Sequence, residues 1–201
     1  MAKEEAEMLT VELTKKWMEL FYDEIDKNKA YLSELDTPIG DGDHGNNMKR
    51  GVTGVKEGLA KLKEPDLKAT LQAIAMALIS KVGGASGPLY GTAFLEMAKK
   101  CNETQKPEEL FTVALEGIKK RGGAKEGDKT MVDVWAPIVK TFSDGSFSKE
   151  EIKKAVESTK DMEARKGRAS YLGERSIGHL DPGAMSSGYL FETFIDAGGT
   201  K

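Results

Sequence analysis

Cysteine occurs once in the 201-residue chain, at Cys101, and histidine twice, at His44 and His179. One thiol cannot close an intramolecular disulfide, nor supply the several thiolates of a cysteine-based zinc site. Cys101 follows Met97 and Ala98 at an expected helix end and reads as a structural thiol. Charge of one sign is not in excess either. Thirty Lys and Arg face 33 Asp and Glu, a net charge of −3, so no global basic surface invites nucleic acid. No apolar run approaches the roughly 18 residues of a bilayer span. The opening MAKEEAEMLT is acidic and lacks the basic flank and apolar stretch of a secretory signal. A cytoplasmic chain is expected. Period-2 runs of β-branched residues are missing as well, which argues against a sheet. Familiar nucleotide and hydrolase signatures are absent. There is no G-x-x-x-x-G-K-[ST], no G-x-G-x-x-G after a strand, and no nucleophile elbow around Ser86, Ser170, Ser186 or Ser187.

What is present is helical periodicity in a soluble composition, 39% apolar and 31% charged. From Thr10 to about Leu32, apolar residues fall at Val11, Leu13, Trp17, Met18, Phe21, Tyr22 and Ile25, the stripe of an amphipathic helix. The same period runs through Met48, Val52, Val55, Leu59 and Leu62, and again from Leu67 to Val82. Further helices are expected near 88–101, 107–121, 128–142 with a kink at Pro137, 148–164 and 182–196. With no repeat, linker or low-complexity tract, residues 1–201 read as one all-α domain of about eight helices.

Some joints are ordinary, such as KEPD at 63–66 and SDGS at 143–146. Four others are rich in glycine: DTPIGDGDHGNN at 36–47, VGGASGPLYGT at 82–92, RGGAKEGDKT at 121–130 and GRASYLGERSIGHLDPGA at 167–184. A pair of helices separates each from the next. In an up-and-down antiparallel bundle, loops an even number of helices apart lie at the same end, so the four converge on one rim.

Asp36, Asp41 and Asp43 offer hard oxygen ligands suited to Mg²⁺, Mn²⁺ or Ca²⁺. The loop is not an EF-hand, because position twelve from Asp36 is Asn47 rather than glutamate. His44-Gly45-Asn46-Asn47 opens the next helix and leaves its amides free for phosphate. The plainer alternative is an acidic surface turn with Asp43 or Asn46 as a helix cap. Gly83 to Gly87 before Pro88 form either an anion nest or a tight helix–helix turn. Asp181-Pro182-Gly183 is a strong helix start in its own right. Arg168 and Arg175 can reach phosphate oxygens or form surface ion pairs, and His44 and His179 can be donors, bases or plain loop residues.

Taken together and in order, IGDGDHGNNM, GGASGPLYGT, GDKTMVD and KGRASYLGERSIGHLDPGA closely resemble the nucleotide-binding domain of dihydroxyacetone kinases. The resemblance implies a barrel of eight antiparallel helices with nucleotide at one rim. It implies that Asp36, Asp41 and Asp43 hold two Mg²⁺ ions against the phosphates of ADP or ATP, and that His44, Gly45, Asn46, Asn47, Ala85 and Ser86 line those phosphates. Gly122, Thr130 and Met131 would surround the adenosine, Asp181, Pro182 and Gly183 would close over the nucleotide, and Arg168 would face the transferring phosphoryl group. A chain of this length resembles the separate nucleotide-binding subunit of the bacterial phosphotransferase-dependent members. There a partner subunit holds dihydroxyacetone on a histidine, and a phosphohistidine protein rephosphorylates bound ADP. Two alternatives stand beside it: an ATP-dependent kinase subunit for another small keto-sugar, and a nucleotide-sensing module without catalysis.

Overall fold

In the computed structural model, which describes residues 8–199, four helices begin at a short polar residue that accepts an early amide. Thr10 Oγ1 accepts from Leu13 N ahead of α1 (Val11–Asp36), Asp66 Oδ1 from Ala69 N ahead of α3 (Leu67–Lys81), and Ser148 Oγ from Glu151 N ahead of α7 (Lys149–Ser158). The α2 (His44–Ala60), α4 (Ser86–Lys100) and α6 (Val132–Asp144) helices have no such bond from the residue that precedes them. The α5 helix (Pro107–Gly122) opens on proline, whose missing N–H needs no partner there, and α8 (Pro182–Ala197) is capped by Asp181.

Consecutive helices pack against each other from α1 to α8, and α8 returns to α1, closing a barrel. Short connections make sequence neighbours antiparallel, so the even-numbered helices all begin at one end. Among the described residues there are eight α-helices and no strand, and no helix is long and apolar enough to cross a membrane. The acidic opening segment read above as lacking a secretory signal falls, over residues 1–7, outside the described residues.

Aromatic rings fill the barrel away from the rim. Trp17, near the start of α1, packs edge-on to Phe194, near the end of α8, with centroids 5.0 Å apart. Trp135 meets Phe191 at 4.8 Å, and Phe111 meets both Phe191 and Phe194 in near-perpendicular pairs. The Trp17 indole donates to Leu190 O at 2.7 Å, so its polar atom is satisfied where water cannot reach. Emptying this layer with Phe111→Ala costs about 3–5 kcal/mol, from lost burial and the cavity left behind.

Several helix bounds differ from the sequence reading, each for a local reason. The α1 helix runs on to Asp36, one turn past Leu32, and stops only before Pro38, which has no N–H to continue it. The α4 helix starts at Ser86 and places Pro88 at its third position, where the amide would be unpaired anyway. The α6 helix begins at Val132 rather than near Asp128, because Asp133 pulls the preceding turn back by accepting from Gly127 N at 2.6 Å and Thr130 N at 2.8 Å. It then continues unbroken through Pro137 to Asp144, so residues 143 and 144 of the SDGS joint are helical. The α7 helix ends at Ser158, followed by a 3₁₀ turn over Thr159–Asp161. The last glycine-rich joint is itself partly helical, with 3₁₀ turns over Arg168–Ser176 folded back at Gly173, whose φ of 54° and ψ of −130° suit glycine alone.

Candidate functional site

The four glycine-rich joints meet around one cavity of about 480 Å³, a size that suits a small-molecule ligand. Its walls come from the end of α1 and start of α2, the turn before α4, the end of α5 with the turn before α6, the 166–169 segment and the start of α8. Of the helices that open at this cavity, α2, α4 and α6 lack a side-chain cap from the residue before them, whereas α8 is capped by Asp181. The α4 amides at Ser86 and beyond thus meet it with the positive end of the helix dipole.

Asp36, Asp41 and Asp43 each offer a carboxylate oxygen, and these oxygens all lie within 4.8 Å of one another. Asp36 is the buried member. Its Oδ2 accepts from Asp43 N at 2.9 Å and His44 N at 3.2 Å, so the last residue of α1 caps α2. Burial pushes its carboxyl above the ordinary range, against the pull of those two amides, and the Asp41 and Asp43 charges push it the same way. Asp41 and Asp43 are exposed, and Asp41 accepts a hydrogen bond from Arg168 Nη1, reaching across from the 3₁₀ segment. Three convergent hard oxygens fit a small divalent cation such as Mg²⁺, whereas soft ligands are lacking there.

The His44 side chain turns inward rather than standing in an open loop. It is buried, with Nε2 at 2.9 Å from Ser186 Oγ and Nδ1 at 3.5 Å from Ser86 Oγ, and burial holds its pKa down to about 4. Asn47 lines the cavity and accepts from Arg50. Gly45 and Asn46 do not line it. Gly45 packs against α1, where a Cβ would stand 1.7 Å from Lys29 O, so its glycine serves helix contact; Asn46 is exposed on the outer side of the first turn. Ala85, Ser86, Gly122, Thr130, Met131, Arg168, Asp181, Pro182 and Gly183 all reach the cavity wall. His179 and Arg175 do not; His179 contributes only its carbonyl, to Lys129.

Lys129 is the residue that the sequence reading passed over. It is 1% exposed at positive φ, and its Nζ donates to Thr159 O at 2.7 Å, Met162 O at 3.1 Å and His179 O at 2.5 Å. One ammonium thereby ties the turn before α6 to both ends of the long α7–α8 connection, although burial lowers its pKa. Asp181 lies half-buried beside it, and desolvation raises that carboxyl to about 7, with the Ala184 amide and Lys129 opposing and Asp133 and Asp36 reinforcing the rise. Ile39, Leu89, Ile118 and Ala124 supply an apolar wall that no motif announced. Lys129 and Asp133 both lie in GDKTMVD, but nothing local marks that lysine as buried.

The sequence model of the DAK2 domain matches residues 38–196, and the chain belongs to that family. The ADP-binding subunit DhaL of the PTS-dependent dihydroxyacetone kinase of Lactococcus lactis is 51% identical over 189 residues, 94% of this chain and 98% of the relative. The DhaL subunit of the PEP-dependent dihydroxyacetone kinase of Escherichia coli K12 is 42% identical over 192 residues, 88% and 91% of the two chains. Among solved structures, the dihydroxyacetone kinase of C. freundii in complex with AMP-PNP and Mg²⁺ superposes with a TM-score of 0.75 at 23% identity, over 98% of this chain and 36% of that longer one. This last likeness speaks for the fold.

Proposed function

We propose that this chain holds an Mg-bound adenine nucleotide in the rim cavity and passes its terminal phosphoryl group to dihydroxyacetone carried by a partner subunit. A phosphohistidine phosphotransferase protein then restores bound ADP to ATP in place. The observation that carries this reading is the meeting, in one cavity, of three clustered carboxylates with the uncapped start of α4. Cation and phosphate attract one another across such a site, and each neutralises part of the charge that would otherwise expel the other. End-to-end similarity to subunits named for ADP binding and dihydroxyacetone kinase activity supports the substrate assignment.

Asp36, Asp41 and Asp43 would hold two Mg²⁺ ions, which supply charge neutralisation for phosphoryl transfer. The first turn of α4, with the Ala85 backbone and the His44, Asn47 and Ser86 side chains, receives the phosphates; the α2 amides that the sequence suggested for this are already given to Asp36, from His44 N, and to Ser33 Oγ, from Gly45 N. Neither Gly45 nor Asn46 lines the cavity, and with the Gly45 amide given to Ser33 Oγ, Asn46 would take part through its backbone alone. Gly122, Thr130 and Met131 take the adenosine, beside the apolar wall of Leu89 and Ile118. Asp181, Pro182 and Gly183 bound the opposite side. Arg168 leaves Asp41 to meet the transferring phosphoryl group, where a planar guanidinium stabilises spreading negative charge. The triose partner supplies its own anchoring group, in keeping with a chain that has only two histidines. The whole of 1–201 acts as one cytoplasmic domain.

Calorimetry tests the first half: ADP binds with Mg²⁺ and loses affinity when Mg²⁺ is chelated. The second half is tested by mixing the ADP-loaded chain with a phosphohistidine donor and then with a dihydroxyacetone-loaded partner. ATP on the chain, then dihydroxyacetone phosphate in solution, is the expected sequence. Turnover that requires free ATP at every cycle would instead make this an ATP-dependent subunit.

A further inference from the structure

Beneath the cavity runs a buried chain of polar side chains that the metal and phosphate assignments leave unused. The Trp135 indole donates to Ser187 Oγ at 3.1 Å. Ser187 Oγ lies 2.9 Å from the Tyr90 hydroxyl, which lies 2.8 Å from Ser186 Oγ. Ser186 Oγ in turn lies 2.9 Å from His44 Nε2, while His44 Nδ1 faces Ser86 at the start of α4. Trp135, Tyr90, Ser186 and Ser187 are each no more than 1% exposed, so water does not offer them alternative partners.

The donor inventory gives this chain a direction. An indole N–H only donates, so Ser187 Oγ accepts it, and the remaining partner for the Ser187 proton is the Tyr90 oxygen. Tyr90 then donates onward, and Ser186 Oγ at 2.8 Å is a better acceptor than Gly183 O at 3.5 Å. Ser186 Oγ donates a hydrogen bond to His44 Nε2 at 2.9 Å, the shorter of its two acceptors, Gly183 O standing at 3.2 Å. A neutral imidazole that accepts at Nε2 carries its hydrogen at Nδ1.

We infer that Trp135, Ser187, Tyr90 and Ser186 are positioning residues that fix His44 as the Nδ1–H tautomer, so that it presents a hydrogen-bond donor to an anion seated against Ser86 and the first turn of α4. The opposite tautomer would aim a lone pair at the same place and repel a phosphate oxygen. The inference rests on the proposed function for the identity of the anion, a nucleotide phosphate. The tautomer itself belongs to the protein without ligand.

The test is a long-range ¹H–¹⁵N correlation spectrum of the full chain labelled at histidine. With two histidines, His179→Gln assigns the pair, because His179 contributes only its backbone carbonyl to the fold. The expected spectrum shows His44 with a pyrrole-like Nδ1 and a pyridine-like Nε2. In Tyr90→Phe, which keeps the ring but cuts the chain, Ser186 is released to donate to Gly183 O, and the Nε2–H form gains population. Mg-ADP affinity falls about tenfold in that variant, as expected for one hydrogen bond to a charged group. Trp135→Phe, which removes the donor that sets the direction, moves the tautomer the same way and serves if Tyr90→Phe does not fold. An Nε2–H tautomer in the wild type overturns the inference, as does an Nδ1–H tautomer undisturbed in both variants. A wild-type chain with the Nδ1–H form that fails to bind Mg-ADP refutes the nucleotide assignment and upholds the tautomer.

Discussion

Asp36→Ala and Asp41→Ala remove carboxylates from the same cluster, yet they should separate stability from ligand binding. Asp41 is exposed and touches Arg168 across solvent. An exposed pair contributes about 0–1 kcal/mol, and its loss is offset by reduced repulsion with Asp36 and Asp43, so apo stability should move by less than about 0.5 kcal/mol. Asp36 is 9% exposed and accepts from two amides at the start of α2. Two charged hydrogen bonds would be worth about 3–6 kcal/mol if they acted alone. The raised pKa of Asp36 shows that burial and like charges oppose its ionised form, so removing the charge returns part of that. A loss of about 2 kcal/mol is expected, in line with a lost helix cap. For a chain of this size that is a fall in melting temperature of about 4–8 °C, against less than about 2 °C for Asp41→Ala. Mg-ADP at one hundred times its dissociation constant should stabilise the wild type by about 2.7 kcal/mol and neither variant appreciably. Thermal scans with and without Mg-ADP read all four quantities. Equal destabilisation of the two apo variants would refute the capping role of Asp36, and a full ligand shift in Asp41→Ala would refute the metal cluster.

Arg168→Ala should retain bound nucleotide and lose phosphoryl transfer by about 10³-fold or more, as when an arginine that meets only the transition state is removed; single-turnover transfer to a triose-loaded partner measures it, and near-wild-type transfer would leave Arg168 as an ion pair with Asp41. His44 should never carry phosphate, because its buried ring keeps Nε2 at 2.9 Å from Ser186 Oγ and an in-line approach to either nitrogen is crowded by the aspartate cluster; mass analysis after incubation with the phosphohistidine donor, under conditions that preserve phosphohistidine, checks this. Asp181 has a folded-state pKa of about 7 against an ordinary 3.8, so its protonated form is the one the fold favours. The stability it contributes is full below about pH 4 and is lost as pH rises toward 7. His44, held down to about 4 from 6.5, works in the opposite sense and adds stability as pH rises through the same window, while Asp36 and Asp133, whose pKa values are also raised, act with Asp181. Asp181→Asn, which keeps an oxygen for Ala184 N, should therefore shift the pH slope of the urea midpoint between pH 4 and 7 in the positive direction relative to the wild type; an unchanged slope would show that Asp181 does not titrate there.

The sequence by itself determined the helices and the end at which the unusual joints gather. Apolar spacing such as Trp17, Phe21 and Ile25 is a property of one segment, and it needs no partner to be read. The parity of the joints then follows from chain connectivity, because short connections force neighbouring helices antiparallel. Family motifs carried the acidic cluster and the Asp181-Pro182-Gly183 turn. Directions and partners were another matter. Gly45 and His44 are adjacent in one first turn, yet one packs on Lys29 and the other turns toward Ser186, 142 positions away. Asp36 caps a helix other than its own. Lys129 resembles any surface lysine until Thr159, Met162 and His179 bring three carbonyls to it. Such roles depend on which groups distant segments deliver to a buried point, where an ammonium or an imidazole must find fixed partners in place of water, and only the closed barrel supplies them.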